Sequence, residues 1–254
     1  MNYGQIVIRR SRFAHAGGIV LAACAVMPAL NGCGTGVLSP SGKGAAPGPG
    51  ASSAAPRTYT VASPVTAVVI NGGAGTITVT GGSRSTVEVT EHAYFSDPKK
   101  QPSASHVVSG GTLTLSYSCA AQLTCGVGYD VQVPQGVTVR VSDREGAITL
   151  ASLAGPVEAR TIAGAVTATG LASRSATLAS MAGNVTAAFT AVPASVTAST
   201  NAGAIRLTLP RSAAYQVHAR TYVGTSTVSV RQSAKSASVI SASSDLGDVT
   251  ISPS

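Results

Sequence analysis

An all-β fold is what this sequence predicts, a β-solenoid or parallel β-helix-like stack of short strands with roughly twenty residues per coil. The first observation behind it is a repeat. From Gly146 to Pro210 the chain reads EGAITLAS, AGPVEART, AGAVTATG, SRSATLAS, AGNVTAAF, PASVTAST and AGAIRLTL. Gly146, Gly155 and Gly164 are nine apart, and Gly164, Gly183 and Gly203 nineteen and twenty apart. The second is the alternation after each anchor: Ile148 and Leu150, Val157 and Ala159, Val166 and Ala168, Val185 and Ala187, Ile205 and Leu207. Period two puts these on one face of a strand and Thr149, Glu158, Thr167, Thr186 and Arg206 on the other. A strand this short cannot bury its apolar face alone; stacked on copies of itself it can. The third is composition. With no tryptophan and 4% aromatic residues, the core must be built from Val, Ile, Leu and Ala, which suits a narrow interior.

Residues 1–33 read as a lipoprotein signal. Arg9, Arg10 and Arg12 form a positive n-region, and Ala16 to Leu30 a short apolar run. That run falls short of the about 20 residues a membrane span needs. It ends in Leu30-Asn31-Gly32-Cys33, which resembles a lipobox with Cys33 as the lipidated residue, although Asn31 is larger than usual there. The arginine pair leaves Sec and twin-arginine export both open. Residues 34–57 are rich in Gly, Pro, Ser and Ala and read as a flexible tether, on the order of 25 Å in reach.

The folded domain is expected over 58–254. VTAVVINGGAGTITVTGG reads as two strands around Asn71-Gly72-Gly73, and STVEVTEHAYF as another. FSDPKKQPSAS is a polar loop with the one lysine pair, Lys99-Lys100. GGTLTLSYSC returns to alternation, and GYDVQVPQGVTVRVSD gives two strands broken at Pro134-Gln135-Gly136. Cys119 and Cys125 lie between strands, across a hairpin-like loop. In an exported chain this spacing implies a structural disulfide rather than a redox or metal site. Glycines at fixed offsets, Gly146, Gly155, Gly164, Gly183, Gly203, Gly224 and Gly247, are the expected corners. Ser226 falls where an apolar residue is due, so the frame slips or widens there. The final coil, with Asp245 and Asp248, is expected to cap the stack and discourage pairing on its edge.

The formal charge is +8; without the leader's three arginines, fourteen cations face nine acids, a balance of +5. The cations are scattered, whereas nucleic-acid binding wants a clustered basic stripe with stacking aromatics. A modest attraction to anionic envelope polymers or lipid headgroups follows instead. No catalytic set emerges. Asp143 and Glu145, read as alternating onto one side of a strand, are the best carboxyl pair for a glycan-cleaving site, and a solvated edge explains them equally well. His92, His106 and His218 are isolated, so no metal site is expected, and no cofactor motif occurs. Thr149, Thr167, Thr186, Thr227 and Thr250 each follow an anchor glycine by three, a column that Glu158 and Arg206 interrupt. Threonine arrays can order ice or hydrate, but threonine is also simply a good strand former.

NGGAGTITV, the GGTLTL strand, YDVQVPQGVTVRV and the recurring AGxV corners, over about residues 60–252, resemble a bacterial candidate-adhesin family of β-solenoid domains related to auto-transporter adhesin heads. The resemblance implies an exported, surface-facing, non-enzymatic domain; it offers no catalytic residue to carry over. The 119–125 cysteine pair and the long tether depart from that pattern. The expected protein is a lipid-anchored binding or adhesion-like module on the outer face of the cell membrane. It would meet the membrane through its lipid and an envelope polymer, surface glycan or protein through its faces, and no nucleic acid. The alternatives are an accessory of envelope-stress signalling that contacts a membrane partner and a β-helix polysaccharide-degrading enzyme.

Overall fold

A computed structural model describes residues 52–120 and 125–254. Cys33, the leader and most of the expected tether lie outside the described residues. Eight strands form the N-terminal part: β1 (Ser52–Ser53), β2 (Arg57–Val61), β3 (Ala67–Asn71), β4 (Ile77–Gly82), β5 (Val87–Phe95), β6 (Ser103–Ser109), β7 (Thr112–Ser118) and β8 (Cys125–Pro134). The repeat supplies β9 (Thr138–Glu145), β10 (Ile148–Ala151), β11 (Val157–Ala163), β12 (Val166–Leu171), β13 (Ser175–Ala182), β14 (Val185–Phe189), β15 (Ser195–Ala202) and β16 (Ile205–Leu209). Four more close the chain: β17 (Gln216–Val223), β18 (Ser226–Val228), β19 (Val239–Leu246) and β20 (Val249–Pro253).

In the repeat, successive strands fall alternately into two sheets. One runs β1-β5-β8-β4-β10-β12-β14-β16-β20-β18, with β2 also on β5; the other runs β17-β19-β15-β13-β11-β9-β3-β7-β6. Each glycine-cornered pair, β9–β10 for example, is a rung with one strand in each sheet. Rungs stack in parallel register at 18, 19 and 20 residues: Ile148 opposite Val166, Val166 opposite Val185, Val185 opposite Ile205. The fold is thus all-β with parallel sheets. Around β5 and β6 the pairing is antiparallel, so both sheets are mixed, and the two do not close into a single helix.

The alternating residues point between the sheets: Val157, Ala159, Val166, Ala168, Ala176, Leu178, Val185 and Ala187 are all buried in one core cluster. Away from the glycines, the other corner is filled by Leu153, Leu171, Phe189 and Leu209, one per rung and all buried. No position inside needs a ring wider than phenylalanine along this stretch, which is why the chain manages with so few aromatics.

A second series of inward residues is polar. Thr161, Ser180, Thr200, Ser244 and Thr221 each sit three residues before a corner glycine. Each hydroxyl donates to the corner carbonyl of the neighbouring rung: Thr161 to Gly146 at 3.3 Å, Ser180 to Gly164 at 2.8 Å, Thr200 to Gly183 at 2.8 Å, Ser244 to Gly203 at 2.9 Å and Thr221 to Gly247 at 2.8 Å. A buried carbonyl without a partner costs about 1–3 kcal/mol, so this ladder removes a penalty at each of these five corners.

Several expectations are corrected. The last coil does not cap the stack: β19–β20 inserts between β15–β16 and β17–β18, leaving β17 and β18 as the outer edges. Ser226 is polar because that outer rung has no neighbour to bury it. Gly155 lies at the opposite corner and, unlike Gly146, Gly164, Gly183, Gly203, Gly224 and Gly247, does not have a positive φ. The main chain of residues 136 and 137 presses on it, and an added Cβ would stand 2.6 Å from the Gly136 oxygen. The segment expected to be tether enters the sheet at Ser52, which pairs with Phe95.

Cys119 and Cys125 are joined by a disulfide, with Cα atoms 6.0 Å apart. They do not cross a hairpin: β7 and β8 belong to different sheets, so the bond ties one sheet to the other. A double Cys119→Ser/Cys125→Ser variant is expected to lose about 2 kcal/mol, the entropy of so short a loop. Urea unfolding of both forms would measure it, and equal midpoints would show that the bond constrains nothing.

Candidate binding surfaces

Strand alternation that fills the interior also fixes what each sheet shows to solvent. On the second sheet, Glu158, Thr177, Thr197, Ser241 and His218 stand side by side across five strands. The adjacent row is Arg160, Ala179, Ser199, Ser243 and Arg220. The centre of this face, from β13 to β19, therefore carries only small, mostly hydroxyl side chains. Charge is confined to its margins. Glu158 accepts from Arg160 Nε at 2.9 Å and lies 3.9 Å from Arg140 Nε on one side; His218 and Arg220 stand on the other.

The first sheet shows the threonine column. Thr78, Thr149, Thr167 and Thr186 are contiguous, followed by Arg206, Thr250 and Thr227. Arg206 does interrupt it. Glu158 does not, because the corner at Gly164 places β11 in the other sheet. Four adjacent threonines make a short patch, and beyond Thr78 the column meets Asp130.

Asp143 and Glu145 do not face a common groove. Asp143 continues the inward series of Val139 and Val141 and is buried, whereas the corner bend turns Glu145 to solvent. Asp143 Oδ1 accepts the Arg144 amide at 3.0 Å, and Oδ2 has no partner among the described residues. Burial first, then the nearby Glu145 charge, pushes the carboxyl up to about 6, against the lowering effect of the Arg144 amide. Glu91, the other buried acid, accepts from Tyr59 Oη at 2.8 Å on the first sheet.

The histidines are dispersed. His92 lies 2.9 Å from Asp130 at the surface, His106 stacks on Tyr59 with centroids 4.5 Å apart, and His218 faces Gln216 at 3.3 Å. Among the described residues no three metal-ligating side chains converge.

Two features were missed by sequence reading. The hydroxyl ladder had a signal, a Ser or Thr at the third position before each corner glycine. The second is a set of exposed apolar side chains along the glycine corner: Ile162 and Met181 on adjacent rungs and, beyond the exposed Asn201 and Asp245, Leu246, Tyr222 and Val223, with Tyr222 at 89%. It had no local signal, because these positions become neighbours only through stacking.

No family model and no curated protein matches this chain. Among solved structures, it is similar to a candidate cell adhesion protein from Clostridium sporogenes, with a TM-score of 0.46 and 12% identity over 79% of this chain and 100% of that one. A candidate adhesin from Bacteroides fragilis gives a TM-score of 0.43 and 15% identity, over 79% and 97% of the two chains. A third, from Parabacteroides merdae, gives 0.29 and 10%, over 78% and 96%.

Proposed function

We propose that this chain is a non-enzymatic binding module of the cell envelope, a β-solenoid held to the outer face of the membrane by a lipid on Cys33 and spaced from it by the segment that follows. The observation that carries the reading is the outer face of the second sheet. Thr177, Thr197 and Ser241, with Ala179, Ser199 and Ser243 beside them, repeat at the strand spacing of about 4.8 Å. Every hydroxyl there is both donor and acceptor, and a short side chain loses little entropy when it is ordered. Many weak, evenly spaced contacts suit a ligand that is itself repetitive and polar, because linked contacts multiply into avidity. A hydroxyl-rich polymer such as an envelope or surface glycan fits that description.

Co-sedimentation of the full chain with isolated envelope polymer, host-type glycans and matrix proteins tests it at low and high salt. Saturable, salt-resistant binding to the glycan class is expected, weakened about tenfold or more by Thr197→Lys at the centre of the face. Binding that disappears with salt, or that ignores Thr197→Lys, would show the net charge acting and not this surface.

A further inference from the structure

The two ends of the stack are built differently. At the N-terminal end, antiparallel β1, β2 and β5 cover one sheet and β6 ends the other, with His106 stacked on Tyr59 between them. At the C-terminal end the stack stops at β17 and β18, which pair only with β19 and β20. The inward residues of β17, Val217, Ala219 and Thr221, are partly exposed, while their neighbours Ile240, Ala242 and Ser244 are buried. One more strand would bury them as every earlier rung is buried.

The free edge already accepts strand pairing at its start. Gln216 N–H donates to the Ser238 carbonyl on the β19 side, and Tyr215 faces the opposite way. There its N–H donates to the Arg231 carbonyl at 2.9 Å, and its carbonyl accepts Ser233 N–H at 2.9 Å. The chain makes one parallel bridge, Tyr215 to Gln232, and turns away. Among the described residues no strand lies beside the edge from Gln216 onward, and alternation points the N–H groups of Val217, Ala219 and Thr221 outward.

Side chains around this edge describe what would fit. Tyr222, Val223 at 53% and Leu246 at 54% exposure form an apolar anchor at the far end of β17. Arg220, Arg231 and Lys235 are exposed and make no ion pair among the described residues. Of the two nearby acids, Asp248 is engaged by the Thr225 amide at 2.8 Å, and the exposed Asp245 lies in register beside Tyr222 on β19, one acid against the three cations.

We infer that the β17 edge is a docking site for an extended, acidic segment of a partner protein, added as a further strand and anchored on Tyr222. The backbone edge supplies the pairing and the apolar cluster supplies the grip. The unpaired cations select an acidic strand, and they weigh against a second copy, whose own arginines would be brought against these. This site is distinct from the hydroxyl face.

The test uses the full chain and two labelled octapeptides, one alternating Glu with Val and the other Lys with Val. The Glu peptide is expected to bind saturably and to slow exchange of the Val217, Ala219 and Thr221 amides. Arg220→Glu and Tyr222→Ala, both exposed changes, should each weaken it about tenfold or more. Ala219→Pro removes an outward N–H from an edge strand, the one sheet position that tolerates proline, and should abolish it. Thr197→Lys should leave it unchanged. Equal binding of the Lys peptide, or indifference to both Ala219→Pro and Arg220→Glu, would overturn the inference. So would a concentration-dependent dimer that Ala219→Pro returns to monomer, because the occupant would then be a second copy.

Discussion

Replacing Gly164 by alanine is expected to cost about 4 kcal/mol and to lower Tm by about 10 °C. Two separate penalties act at that position. Gly164 has φ +145°, a conformation that any residue with a Cβ enters at a cost of about 1–3 kcal/mol. An added Cβ would also stand 2.6 Å from the carbonyl carbon of Gly146 and 3.2 Å from the Ala147 nitrogen, both main-chain atoms of the adjacent rung. No side chain can swing aside to relieve that contact. The rungs would have to separate, which breaks the Thr161 hydrogen bond to Gly146 and the Gly146 amide bond to Ala163. Gly82→Ala is the control: it lies in β4 of the first sheet, and nothing stands within 4 Å of the added carbon. Thermal unfolding of the two variants side by side decides the matter. A Gly164→Ala protein that melts with the Gly82→Ala protein would mean that these corners need no glycine.

The same corner shows how far the sequence could be read. Alternation and glycine spacing are local, so the strand positions of the repeat, the inward Val, Ile, Leu and Ala series and the rung length near twenty were legible, whereas β1 in the expected tether and the start of β6 in the expected polar loop were not. What failed was everything set by which strand lies beside which. Glu158 was assigned to the threonine column because spacing cannot reveal that a corner transfers the next strand to the other sheet. The insertion of β19–β20 depends on pairing across 44 residues, Ile205 with Val249, and leaves no periodic mark. Val223 and Leu246 look unremarkable along the chain and become neighbours beside Tyr222 only through that insertion. Asp143 is a different case. It lies in phase with Val139 and Val141, and alternation alone points it inward; what the sequence hid was the bend that turns Glu145 out.

That inward carboxyl leads to the second large effect, a loss of stability as pH rises from about 4 to about 6. Asp143 stands three residues before Gly146, the place held by Thr161, Ser180, Thr200, Ser244 and Thr221 in the other rungs. Each of those donates a hydroxyl proton to a corner carbonyl, and the register assigns Asp143 the carbonyl of Gly75. Gly72, beside it, leaves room for the larger group: a Cβ there would stand 2.5 Å from Oδ1. Oδ2 and the Gly75 oxygen crowd the same point beside Gly146, and an ionised carboxylate has no proton to offer. Around them are Arg144, the exposed Glu145 and the hydroxyls of Tyr94 and Tyr117, with Tyr117 already accepting the Ala74 amide at 2.6 Å. The folded carboxyl titrates at about 6, above the ordinary 3.8, so the folded chain holds a proton that the unfolded chain has released. Stability from this group is therefore full below about pH 4, falls through the window and stays reduced above it, by about 3 kcal/mol. Asp143→Thr restores the hydroxyl. It is expected to be more stable than the parent at pH 7.5 by that amount and to lack the step between pH 4 and 6, while Asp143→Ala lacks the step without the gain. Urea midpoints at pH 4, 5, 6 and 7.5 for the three proteins measure it. Parallel curves for the parent and Asp143→Thr would remove Asp143 from the ladder and leave its burial without a structural reason.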